Sequence, residues 1–198
     1  MKQQQKKLGY VILGSLIMGI GISMTIIANV GSDPMSVFWI GISDTLSISV
    51  GQANLLVCSC ILLVVLFVDR KQLHIGSLIN PICISLVTDM IVSLSITVEH
   101  YMIRVMLCVI GLCILAFGIA LYALADMGKG AYEALVFCIQ KKSKYSIRAI
   151  RITCDLTLAI FGYLLGGPVA LGTLLAILCI GTGIQFFIRY LSKKELRL

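Results

Sequence analysis

Charge is scarce in this chain. Only 13% of its 198 residues are Asp, Glu, Lys or Arg, 59% are hydrophobic, and the mean hydropathy is +1.04. A soluble domain carries roughly 25% charged residues. So apolar a chain of this length cannot hide its surface from water, so the bilayer is expected to be its solvent. Histidine is nearly lacking: His74 and His100 are the two present, and both fall between apolar runs. There is no His-Glu-x-x-His, no Gly-x-Ser-x-Gly and no Gly-x-x-x-x-Gly-Lys-Ser/Thr. With none of these motifs, the expectation is a non-enzyme without cofactor or metal. Eight cysteines occur, but no Cys-x-x-Cys pair, and they lie in apolar stretches as small helix residues do. No disulfide framework is implied. The formal net charge of +7 does not point to nucleic acid, because the Lys and Arg residues sit in short clusters between apolar runs.

Those runs set the organisation. Leu8 to Ala28 is free of charge, about 31 Å long as a helix, and sufficient to cross a membrane. Its length and its later echo distinguish it from a signal peptide. Further spans are expected over Gln52–Val68, Ile75–Ile96, Ile103–Leu124, Ala149–Leu165 and Val169–Ile188. With the N-terminus in the cytoplasm, six spans place 15 of the chain's 16 Lys and Arg residues on the cytoplasmic side, Arg104 alone falling outside. That is a strong positive-inside pattern. The apolar run 35–46 is too short to span, reaching about 18 Å, and is expected to re-enter or lie along the outer surface.

Two breaks punctuate the spans. Ala28-Asn29-Val30-Gly31-Ser32-Asp33-Pro34 follows the first, and Ala125-Asp126-Met127-Gly128-Lys129-Gly130-Ala131 follows the fourth. At an offset of 97, Gly21 meets Gly118, Ala28 meets Ala125, Gly31 meets Gly128 and Ser49 meets Ser146. At 96, Gly76 meets Gly172 and Cys83 meets Cys179. The reading is one membrane domain over 1–198, duplicated as repeats at about 8–97 and 103–191. Three spans per unit make the repeats inverted, an arrangement common in secondary transporters. The expected fold class is therefore all-α and polytopic: six transmembrane helices in two inverted three-helix repeats, each with a short re-entrant or interfacial helix.

Gly31-Ser32-Asp33-Pro34, Gly128-Lys129-Gly130 and the run Gly166-Gly167-Pro168-Val169-Ala170-Leu171-Gly172-Thr173-Leu174 resemble the YczE/YyaS/YitT family of small bacterial integral membrane proteins. The resemblance covers nearly the whole chain. It implies a multi-pass protein of a bacterial plasma membrane and no established general activity. The family often places an acid two residues after the proline. Here Ser36 stands in that place beside Pro34, whereas the second unit keeps an acid as Glu133 and has Ala131 for the proline.

Ionisable residues at membrane depth are costly and are functional candidates for that reason. Asp155, about 9 Å along its helix from Ala149, and Asp89, about 21 Å from Ile75, are the deepest acids. Arg151 stands four residues before Asp155, so the two form either a structural ion pair or part of a proton, ion or substrate site. Asp33 and Pro34 suit a helix cap and first position, which is either an ordinary cap or an anion-attracting end. Asp126 and Glu133 belong to the second break. Asn80 and Gln185 complete a polar lining or bond between helices. Gly31, Gly128 and Gly130 are the expected hinges. Trp39 suits an interfacial anchor, and the basic stretch 140–151 fits either a topology determinant or an anionic-lipid contact. Two functions fit: a small-solute transporter or transporter membrane subunit, in a proton-coupled form as one variant, and a non-transporting accessory protein that stabilises another membrane protein or enzyme. The expected partners are the bilayer, an unidentified small solute, and a protein partner or second copy; nucleic acid is not among them.

Overall fold

The computed structural model describes residues 2–195. Eight α-helices follow one another: α1 Lys2–Ala28, α2 Pro34–Leu46, α3 Val50–Asp69, α4 Ile75–Val92, α5 Tyr101–Leu124, α6 Ala131–Lys142, α7 Ile147–Leu164 and α8 Leu171–Glu195, with a single 3-10 turn at Arg70–Gln72. Five of them, α1, α3, α4, α5 and α8, are long and apolar enough to cross a membrane. The region 149–165, expected to span, forms the 18-residue helix α7, which is not among the five: it carries Arg148, Arg151 and Asp155. α1 starts at Lys2, so the basic residues before Leu8 belong to the same helix as the first apolar run. The pair Asn80-Pro81 leaves α4 unbroken. Both are buried inside α4, and the Pro81 carbonyl accepts from Asn54 Nδ2 at 3.3 Å.

The helix starts follow from local chemistry. Asp33 caps α2, accepting from Ser36 N, and Pro34 fills the first turn, where no N–H is needed. Ser49 and Gln52 form a capping box on α3. Ser146, 97 positions after Ser49, caps α7. Asp89 reaches across from α4 and accepts from Ser49 Oγ at 2.6 Å and from Gly51 N at 2.7 Å. Asp89, one of the two deepest acids in the sequence, is thus a tether for the start of α3. Asp89→Ala removes both bonds and should cost about 1–3 kcal/mol. Thermal unfolding in detergent measures this, and an unchanged melting temperature would show that the tether carries no stability.

α1 and α5 form the centre and run antiparallel. Gly14 lies against Gly118 and Tyr122, and Gly21 against Gly111 and Leu115, close enough that a Cβ on Gly21 would stand 2.6 Å from Leu115 N. Small residues allow this backbone approach where lipid gives no hydrophobic drive for association. Arg104 Nε donates to the Ala28 carbonyl at 2.7 Å, and Nη2 donates to the Asn29 carbonyl. The one cation outside the positive-inside pattern therefore serves the unpaired carbonyls at the end of α1.

Each break is held by the first turn of a distant helix. Gly172 N donates to the Val30 carbonyl at 2.7 Å, and Gly76 N to the Met127 carbonyl at 3.0 Å. Asn29 and Gly31 have positive φ, and so do Asp126 and Gly128, each 97 positions later. Glycine is the residue that tolerates the 90° and 101° values found at Gly31 and Gly128. The short helices lead away from these breaks. α2 lies along α7, with Val37 and Phe38 beside Gly162, and Gly41 beside Leu165. α6 packs on α3, where Ala134 and Cys138 join Val65 in a small apolar cluster. Lys141 at its end pairs with Asp69 at 2.6 Å. Hydrogen bonding to Asp69 holds the Lys141 ammonium above its usual range.

Candidate functional site

The buried acids, Asp33 and Asp155, stand at the start of α2 and on α7, while the other buried polar residues are spread over the break before α2 and over α1 to α4 and α8. Asp33 and Pro34 are buried, and the Asp33 carboxylate accepts from Ser36 Oγ at 2.6 Å and Ser36 N at 3.1 Å. The Gly31 carbonyl beside it receives the Cys108 thiol at 3.6 Å. Cys108 lies about 10 Å along α5 from Tyr101. The start of α2 is therefore inside the bundle. Its far end returns to the terminus of α7, where Thr45 Oγ1 donates to the Leu165 carbonyl at 3.4 Å. Trp39, expected at the membrane interface, is only 4% exposed and packs in the core, because α2 lies between α7 and α3.

Asp155 on α7 is 9% exposed. Tyr132, in the first turn of α6, donates its hydroxyl to Asp155 Oδ1, and the Arg151 guanidinium lies 5.6 Å from the centre of the Tyr132 ring. Burying a carboxylate is costly without such a donor or a nearby cation. Asp33 and Glu133 both stand within electrostatic range of Asp155. Among the described residues, no group of three or more His, Cys, Asp or Glu side chains is arranged to hold a metal ion. Asp155 is thus a buried carboxylate that is hydrogen-bonded to Tyr132 and has Arg151 one turn before it on α7.

The second break carries its acid differently. Gly130 caps α6 without a side chain, and Glu133 turns back so that a Cβ on Gly130 would meet Glu133 Oε2 at 2.5 Å. Asn80 is buried one helix away. Its Nδ2 donates to Ser15 Oγ at 3.0 Å, and its Oδ1 lies 3.7 Å from that same Cβ position. The structure thus places Asn80, Gly130 and Glu133 beside one another, Arg151 and Asp155 about Tyr132, and Asp33 and Pro34 at the buried start of α2. It does not gather the others: Asp89 tethers α3, Asp126 is exposed at a turn, and Gln185 is exposed on α8. Tyr132 is the site residue that the sequence pattern hid. Only its match to Met35 at the repeat offset marks a change of chemistry there.

Comparison with known proteins places the chain. The model of a family of unknown function, DUF6198, matches residues 5–189. The chain belongs to that family. It is similar to an uncharacterized protein of Haemophilus influenzae, 29% identical over 190 residues that cover 96% of this chain and 87% of that one. It is also similar to the uncharacterized membrane protein YczE of Bacillus subtilis, 24% identical over 174 residues, 87% of this chain and 81% of YczE. The uncharacterized protein YyaS of the same organism is 25% identical over 180 residues, 85% of each chain. No solved structure matches. The resemblance carried by the two glycine breaks and the Gly166 to Leu174 run therefore holds for YczE and YyaS. With its five long apolar helices, the chain is a membrane protein, and its surroundings are lipid.

Proposed function

We propose that this protein is a small-solute transporter, or the membrane subunit of one, coupled to protons through Asp155. In this reading it is not an enzyme. It lies in a bacterial plasma membrane with both termini in the cytoplasm, and its six spans form two inverted three-span units. α7 is the fifth span in sequence order, with Asp155 turned inward. α2 and α6 are half-helices that enter from opposite faces. The observation that carries this reading is the start of both short helices at interior breaks, with acids at or near their first turns and Asp155 close by. Interrupted helices whose ends meet polar groups at depth are where secondary transporters bind solute and coupling ion. The paired helix order, the antiparallel α1 and α5, and the matched Gly172–Val30 and Gly76–Met127 bonds support the inverted arrangement.

The test is electrical. Proteoliposomes on a solid-supported membrane are pulsed with pools of amino acids, organic acids, amines and sugars. At least one pool should evoke a current in the wild-type protein that Asp155→Asn abolishes. A wild-type protein silent to every pool, which leaves detergent with a stoichiometric partner, would instead be an accessory protein.

A further inference from the structure

A cavity of about 370 Å³ lies where α1 and α4 begin and the second break passes between them. Gln4, Gln5 and Leu8 line it from α1, Ile75 and Ile79 from α4, and Met127 from the break. Its polarity is graded. Gln4 and Gln5 are exposed amides, and Leu8 follows about 5 Å further along the helix. Ile79 stands about 6 Å beyond Ile75. Ile75 and Leu78, three residues apart and so neighbours on the surface of α4, are 53% and 57% exposed. The cavity therefore has a polar rim and an apolar floor, and it adjoins the face of α4 that lipid covers.

Cations gather at this end of the bundle. Lys6 and Lys7 stand between Gln5 and Leu8 in the chain, and Arg70 and Lys71 belong to the turn that leads into α4. Of the acids here, Asp69 is already paired with Lys141, and Asp126 precedes Met127. Lys7 matches Arg104, 97 positions later. In the antiparallel register that sets Gly14 against Gly118, Arg104 comes level with Ala28, and by the same count Lys7 comes level with Ala125. Arg104 donates to the carbonyls of Ala28 and Asn29. Lys7 makes no such bond, and no ion pair, among the described residues. The positions that match Gln4 and Gln5 are Tyr101 and Met102. The other end of the bundle thus lacks both the amide rim and an uncommitted cation. Basic pockets between membrane helices are sites for anionic lipid headgroups.

We propose that the cavity between α1 and α4 holds one anionic phospholipid, its phosphate at Lys7, Gln4 and Gln5 and an acyl chain against Leu8, Ile75, Ile79 and Met127. The occupant is a lipid and not a free phosphate ester, because four of the six lining residues offer apolar side chains and no hydrogen bond. The inference goes beyond the transporter reading and needs no solute.

Binding is measured on the purified full-length protein in detergent, by thermal unfolding with added phosphatidylglycerol, phosphatidylcholine of the same acyl chains, or glycerol 3-phosphate. Phosphatidylglycerol should raise the melting temperature by several degrees, phosphatidylcholine by clearly less, and glycerol 3-phosphate not at all. Ile79→Trp fills the cavity and should abolish the response. Lys7→Gln should lower the response to phosphatidylglycerol to that of phosphatidylcholine, and this change near the chain's start decides the matter if the tryptophan variant does not fold. Leu175→Trp, at the position that matches Ile79 in the second unit, is the control and should respond in full. Equal responses to the two lipids, a response to glycerol 3-phosphate as large as that to phosphatidylglycerol, or a full response in Ile79→Trp or Lys7→Gln would each overturn the proposal. The readout needs no flux. Lipid stabilisation without any solute current removes transport and leaves the site, and solute currents without lipid stabilisation do the reverse.

Discussion

Gly21→Leu is expected to prevent α1 and α5 from closing and to leave little folded protein. A Cβ at this position would stand 2.6 Å from Leu115 N and 2.7 Å from the Gly111 carbonyl. These are backbone atoms of the facing helix and cannot rotate away. The mirrored contact, Gly118 against Gly14, fixes the other half of the same crossing, so the helices cannot slide to accommodate the side chain. Overpacking a close-fitting interior costs about 1–3 kcal/mol, and more where the backbone must move. A membrane domain also has no hydrophobic drive to push the helices back together. Gly181→Leu is the control, because nothing lies within 4 Å of a Cβ there. Size-exclusion profile and melting temperature in detergent decide the matter: the Gly21 variant should aggregate or melt well below the Gly181 variant. Equal stability would mean that α1 and α5 do not meet through these glycines.

The second large effect falls on activity. Asp155→Asn should lower solute-evoked current to the level of empty liposomes while the protein remains folded. The amide keeps an oxygen to accept from Tyr132, so the contact to α6 survives and the loss of stability should be small, on the order of 1 kcal/mol. What disappears is a group that can change its protonation beside Arg151, Asp33 and Glu133. A variant that transports normally would remove Asp155 from the coupling step. A variant that also loses its fold would make the residue structural, since a buried acid hydrogen-bonded across two helices is equally a packing device.

Part of this architecture was legible from sequence because its determinants are local. The breaks at Gly31 and Gly128 show as turn residues between apolar runs, and both glycines adopt positive φ. Asp33-Pro34 announces a helix start, and α2 begins there. Glu133, Asp155 and Asn80 stand out as polar residues in apolar surroundings, and they lie in one region of the interior. What stayed hidden depends on partners far along the chain. Asp89 looked like a deep ionisable residue until Ser49 and Gly51, some forty residues earlier, met its carboxylate. Arg104 looked like an exception to a charge rule, and its purpose is visible only beside the Ala28 carbonyl. Gln185 was as good a lining candidate as Asn80 by composition. The rotation of α8 turns it outward, and no periodic signal separates the faces of a helix that is apolar nearly all round. Tyr132 escaped notice for a related reason: an aromatic residue in an apolar run reads as packing until its hydroxyl finds an acid.

The inverted arrangement requires α2 and α6 to enter the membrane from opposite faces. Asp44 and Lys142, near the outer ends of these helices, are both exposed. Single cysteines at the two positions, in a variant whose eight native thiols are replaced, can be labelled in intact cells with a membrane-impermeant maleimide. Asp44→Cys should react from outside at once. Lys142→Cys should react only after the membrane is opened. Both cysteines reacting from the same side would contradict the inverted arrangement, and with it the shared interior site at Asp155.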